Sequence, residues 1–216
     1  MEDDCVPHDS FFPYMEELLN RYANDSRVGM ISGLNHFLQW DCGENSYCFT
    51  KSGAIWGWGT WKRVWEQYDY YLNKIEDPYC VKLLRKEIGH KRAEKGRMAA
   101  WEKTHIDTQT KKIQHWDHQF GFLKYTQSML CIVPKCNLIC NIGAGADSTH
   151  AKVLKASAWK PGAVLFMPVK AVETPLKHPE IVICDRAYDE KYFNTMAYPN
   201  VFKKYFRKIK GRLLAK

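Results

Sequence analysis

The sequence of 216 residues contains no apolar run of the ~18 residues that a membrane-spanning helix requires. It also lacks a basic stretch leading into a short apolar segment, so no secretory signal peptide is expected. Its eight cysteines show no small-loop pairing. Cys131, Cys136 and Cys140 come closest to a cluster, but no fourth ligand stands at zinc-finger spacing. The thiols therefore read as reduced and mostly buried, which predicts the cytoplasm. There is no internal repeat and no low-complexity linker. Acidic residues are missing from the stretch 203–216, which carries seven of the basic ones, while the whole chain has a formal charge of +8. The body before that stretch is close to neutral. A nucleic-acid binder would spread its basic residues over the fold, so no nucleic-acid partner is expected.

What is abundant is apolar and aromatic. Apolar residues make up 45% of the chain, enough for a substantial core, and eight Trp are present. Helical spacing of Phe11, Met15, Leu18, Leu19 and Tyr22 predicts a helix over about 10–22. Val28 to Ser32 and Tyr47 to Thr50 read as short strands. A Gly/Trp turn at 56–61 runs into a helix. Residues 79–105 read as two helices with a junction near Gly89, and Trp116 to Tyr125 as another. Ser128 to Val133 is a strand stopped by Pro134. Val164 to Val169 reads as extended, and the chain from about Asp189 as helical. The class is α/β with few strands.

Five features can carry chemistry. Glu2, Asp3 and Asp4 are adjacent carboxylates that repel one another unless a cation compensates. Their hard oxygens suit Mn²⁺ or Mg²⁺; the bland alternative is a solvated acidic end. Asp117 lies at an expected helix start, where it is either a helix-terminal charge or a general base. His150 closes a Gly-rich loop, 141–150, that matches no known phosphate-loop fingerprint. Trp56, Trp58 and Trp61 either stack on a sugar or fill the core. Phe202, Tyr205, Phe206, Ile209 and Leu213 share one face of a basic amphipathic helix, suited to an anionic membrane surface or to packing on the domain.

The order of these features resembles a known family. Glu2-Asp3-Asp4-Cys5-Val6-Pro7-His8 followed by Ser10-Phe11-Phe12 is similar to the metal motif of bacterial family 2-like glycosyltransferases of the GT-A, nucleotide-diphospho-sugar transferase fold. This group includes hemolysin-related and surface-polysaccharide sugar transferases. Val28-Gly29-Met30-Ile31-Ser32-Gly33 resembles the strand after the family's first helix. Ile55-Trp56-Gly57-Trp58-Gly59-Thr60-Trp61-Lys62-Arg63 resembles its acceptor-side motif, and Trp116-Asp117-His118-Gln119 the segment with its base. Asn137-Leu138-Ile139, Asn141-Ile142-Gly143 and Asp147-Ser148-Thr149-His150 resemble its last motif. The likeness runs from residue 2 to about residue 180.

The resemblance implies a metal-dependent, inverting transferase that moves a sugar from a UDP- or GDP-type nucleotide sugar to a glycan or lipid-linked acceptor in surface-polysaccharide synthesis. It makes Asp4 the direct metal ligand, with Asp3 and His150 beside it. Glu2 and Asp3 would touch the donor, Asp117 would be the base, and Trp56, Trp58 and Trp61 would line the acceptor side. In the family a strand–helix–strand nucleotide-binding region precedes the metal motif. The chain is accordingly expected to be the C-terminal half of the fold over 1–188, followed by a basic helix over 189–216 that visits the inner membrane face. The alternatives are a non-catalytic remnant or partner chain of the same fold, and a basic nucleic-acid-binding or metal-dependent phosphodiesterase protein.

Overall fold

A computed structural model describes residues 2–110, 115–143 and 164–199. His150 and the basic stretch 203–216 lie outside the described residues. The architecture is mixed α/β, with two small sheets flanked by helices. Among the described residues no helix is long and apolar enough to cross a membrane.

Strand β1 (Cys5–Pro7) leads into helix α1 (Phe11–Arg21), which buries Phe11, Tyr14, Met15 and Leu18 on one face. Ser10 holds the N-cap position but does not cap through its side chain. Its hydroxyl instead bonds His8 Nδ1 at 3.0 Å and accepts from the Val172 backbone N–H at 3.1 Å. Strand β2 (Val28–Ser32) and strand β3 (Tyr47–Thr50) are buried along their whole length, as short apolar runs between turn residues should be. The Gly/Trp turn becomes strand β4 (Trp58–Gly59) and one turn of helix α2 (Lys62–Trp65). A 3-10 turn (Asn73–Glu76) precedes helix α3 (Pro78–Ile88). Pro78 occupies the first helical position, where its missing N–H costs nothing, and Asp77 caps it. Gly89 ends α3 in the left-handed conformation, and His90 caps helix α4 (Lys91–Gln109). Helix α5 (Asp117–Thr126) and strand β5 (Leu130–Pro134) follow.

The larger sheet has the order β3-β5-β2-β4. Its central pair, β2 and β5, is parallel, and both edge strands run antiparallel to their neighbours. Burial on both faces explains the unbroken apolar runs of β2 and β5. The second sheet pairs β1 with β6 (Ile139–Asn141), Cys5 opposite Asn141 and Pro7 opposite Ile139. Neither strand of this pair was expected, because three-residue strands carry too little alternation to be read. Residues 164–169, expected to be extended, form no strand. Helix α6 (Arg186–Tyr192) begins earlier than the expected Asp189. It crosses the expected boundary at residue 188 with Tyr188 and Asp189 both buried.

Gly57 joins the two sheets. It turns at φ +57° between Trp56 and β4, and its carbonyl accepts from Gly33 N–H at 2.7 Å. A Cβ here would lie 2.3 Å from Ile139 Cδ1. Gly57→Ala is expected to cost about 2–4 kcal/mol, from left-handed strain plus overpacking. Gly43 has a similar φ of +61° but open space around it, so Gly43→Ala should cost only the strain. Urea denaturation of both variants checks this; equal costs would show that Ile139 yields freely.

Candidate functional site

The β1–β6 pairing decides what the acidic triplet meets. Asp4 C=O accepts from Ile142 N–H at 2.8 Å, which holds Asp4 at the start of the Gly-rich loop. A Cβ on Gly143 would lie 2.1 Å from Asp4 Oδ2, so this carboxylate sits directly against the Gly-rich loop. The first and last of the motifs thus come together. Their separation in the chain is bridged by three ladder pairs.

Within the triplet the turn sorts the side chains. Cys5 N–H donates to Glu2 C=O at 3.2 Å, closing a four-residue turn with Asp3 and Asp4 at its centre. Turn closure draws Glu2 and Cys5 toward each other, and one ligand atom each of Glu2, Asp4 and Cys5 lies within 4.8 Å of the others. Asp3 is exposed and stands outside this group. The expected ligand set was Asp4 with Asp3 and His150, and Glu2 was given to the donor; the group brought together here is Asp4 with Glu2 and Cys5, while His150 lies outside the described residues. Cys5 was missed: a lone buried cysteine carries no sequence signal for a site.

The electrostatics fit a hard divalent cation. Burial, then the charge of Asp4, raises the Glu2 pKa above its ordinary value. Burial, followed by the charges of Asp4 and Glu2, pushes the Cys5 thiol up to about 12. The group offers oxygens from Glu2 and Asp4 beside a thiol that is protonated at neutral pH. Mn²⁺ or Mg²⁺ would be held by Glu2 and Asp4, leaving positions for water or phosphate oxygens.

Asp117 is the first residue of α5 and does not cap it; Trp116 holds the cap position without a side-chain bond. The Asp117 carboxylate accepts no hydrogen bond among the described residues, and His115 Nδ1 lies 3.6 Å from it. The next residue, His118, bonds Thr104 Oγ1 at 3.0 Å, and burial lowers its pKa. Asp117 lines a cavity of about 330 Å³ together with His36, Trp56, Arg97, Lys124 and Tyr125. The charge of Asp117 is felt at Glu2, which places the two acidic groups in one electrostatic field. The cavity wall at Trp56 continues into Gly57, whose backbone lies within hydrogen-bonding reach of the Cys5 thiol.

Of the three tryptophans expected on the acceptor side, only Trp56 lines this cavity. Trp58 stacks on Trp116 at 4.8 Å and packs against Phe120 at 5.0 Å. Trp61 donates its indole N–H to Leu19 C=O at 2.9 Å, under the Arg63 guanidinium. Both are half-buried and packed on core side chains, and Trp58 braces the Trp116 end of α5. No protein-family model, curated protein or solved structure matches the chain. The site's assignment therefore rests on its residues and their geometry.

Proposed function

We propose that the protein is a glycosyltransferase that uses Mn²⁺ or Mg²⁺ to transfer a sugar from a nucleotide diphosphate to a glycan or lipid-linked acceptor, with inversion. The observation that carries this reading is the β1–β6 pairing, which seats Asp4 against Gly143 while its neighbour Glu2 shares an electrostatic field with Asp117. Carboxylates for a metal and a separate, unbonded carboxylate in a cavity are what such a transfer demands. A divalent ion, when bound, neutralises charge building on the departing diphosphate. The residues of the chain do the rest. Glu2 and Asp4 hold the ion, while Asp117 takes the proton from the acceptor hydroxyl as that oxygen attacks the sugar. Trp56 gives the acceptor ring an aromatic wall. Opposed placement of base and leaving group inverts the anomeric centre. The cellular setting that goes with this function is the inner membrane face, where lipid-linked acceptors are made.

Mn²⁺ titration followed by electron paramagnetic resonance, with and without UDP or GDP, tests the reading. Wild type should bind the ion, and the nucleotide should tighten it. Asp4→Asn should weaken Mn²⁺ binding about 10-fold or more, since it removes a direct ligand. Asp3→Asn should leave it nearly unchanged. Equal binding by wild type and Asp4→Asn would remove the metal site, and the transferase reading with it.

A further inference from the structure

The floor of the Asp117 cavity is built from two cations that have no ion-pair partner among the described residues. Lys124, on α5, is buried, and its ammonium donates only to the thioether of Met30, at 3.4 Å. A thioether is a weak acceptor. Arg97, on α4, lays its guanidinium over the rings of Tyr125 and Phe193 at 4.8 and 5.3 Å. Its Nε is buried and finds no hydrogen-bond partner among the described residues. The Tyr125 hydroxyl and His36 Nδ1 are buried and likewise have no hydrogen-bond partner among the described residues, and all four side chains line the same cavity. Burial pushes the Lys124 ammonium below the usual lysine range and His36 down to about 4.

Asp117 in the same cavity is one carboxylate against these two cations, and the nearby Asp189 is already committed. Asp189 accepts the backbone N–H groups of Lys51 and Ser52 at 2.8 and 3.0 Å, and the Cys184 thiol at 3.2 Å. Lys51 is paired with Glu87 at 2.5 Å. The cavity floor is left with more cation than anion and with donors aimed at no acceptor. Leaving buried charge unpaired is costly, and the fold had the cheaper option of an apolar residue at position 124.

We propose that Arg97 and Lys124 form an anion subsite for the acceptor, which therefore carries a carboxylate or a phosphate on or next to its reacting sugar. This rests on the transferase reading for calling the ligand an acceptor; the anion subsite stands on the cavity alone. A volume of about 330 Å³ is at the small end of ligand cavities and suits a single sugar unit with its acidic group. The anion anchors one end of that unit against the floor, and a hydroxyl at the other end reaches Asp117. Tyr125 and His36 supply further polar contacts to the same group.

Calorimetric titration of the full chain with glucuronate, glucose 1-phosphate and glucose tests the subsite. At least one acidic probe should bind and glucose should give no heat. Binding of glucuronate assigns a carboxylate, and binding of glucose 1-phosphate with competition by inorganic phosphate assigns a phosphate. Lys124→Met and Arg97→Gln should each weaken the acidic probe about 10–100-fold. Lys124→Met should also melt at a higher temperature than wild type, because it removes a buried unpaired amine. Equal binding of glucose and the acids, no binding of either acid, or undiminished affinity in folded Lys124→Met would each overturn the proposal. Acid binding that persists in a protein unable to bind Mn²⁺ would keep the subsite and discard the transferase. Mn²⁺ binding without acid binding would do the reverse.

Discussion

Asp117→Asn should lower turnover by about 10²–10⁴ while Mn²⁺ and nucleotide affinity stay at wild-type levels. The amide keeps the shape of the side chain and removes its ability to take a proton. Little else depends on this carboxylate. It accepts no hydrogen bond among the described residues, and it is half-buried rather than enclosed. The stabilising effect of a charge in the first turn of a helix is about 0.3–1 kcal/mol, so the variant should unfold close to wild type. Rate and stability therefore separate the two roles open to Asp117. A large loss of rate with an unchanged melting temperature identifies the base. A loss of rate matched by a loss of stability identifies a helix-terminal charge. Transfer measured from a panel of UDP- and GDP-sugars, with the melting curve of the same preparation, reads both.

The elements that were legible in the sequence are those with a long or pure pattern. Apolar spacing located α1, α3, α4 and α5, and unbroken apolar runs located β2, β3 and β5. Strands β1 and β6 escaped because three residues hold no period, yet their pairing organises the acidic end. The acidic triplet was visible as charge, but its internal division was not. A turn that presents Glu2, Asp4 and Cys5 while exposing Asp3 is a matter of backbone closure, which adjacency in sequence does not encode. The tryptophans show a second limit. Trp56, Trp58 and Trp61 look alike in a Gly-rich segment and all pack on core side chains, but across the left-handed turn at Gly57 Trp56 alone of the three also lines the cavity. Arg97 and Lys124 carried a weak signal that went unused: Lys124 interrupts the apolar run Phe120 to Tyr125 on a helix that otherwise faces inward.

Asp189→Ala should destabilise the fold by about 3–5 kcal/mol, the range for leaving buried charges without their counterpart. Two losses add. The backbone N–H groups of Lys51 and Ser52, which hold β3 to the segment beneath the cavity, would have no acceptor. Lys124 and Arg97 would lose the carboxylate whose field offsets their charge. Combining the change with Lys124→Met distinguishes them. If the field matters, Lys124→Met stabilises Asp189→Ala more than it stabilises wild type, with a coupling of about 1–3 kcal/mol in a urea-denaturation cycle. If Asp189 serves only the backbone donors, the two effects add without coupling. The coupled result has a functional consequence: Asp189 then holds the cationic floor just short of neutral. The empty-cavity protein tolerates Arg97 and Lys124 because of that carboxylate, and an incoming anion supplies the negative charge that Asp189, committed to two backbone donors, leaves unmet.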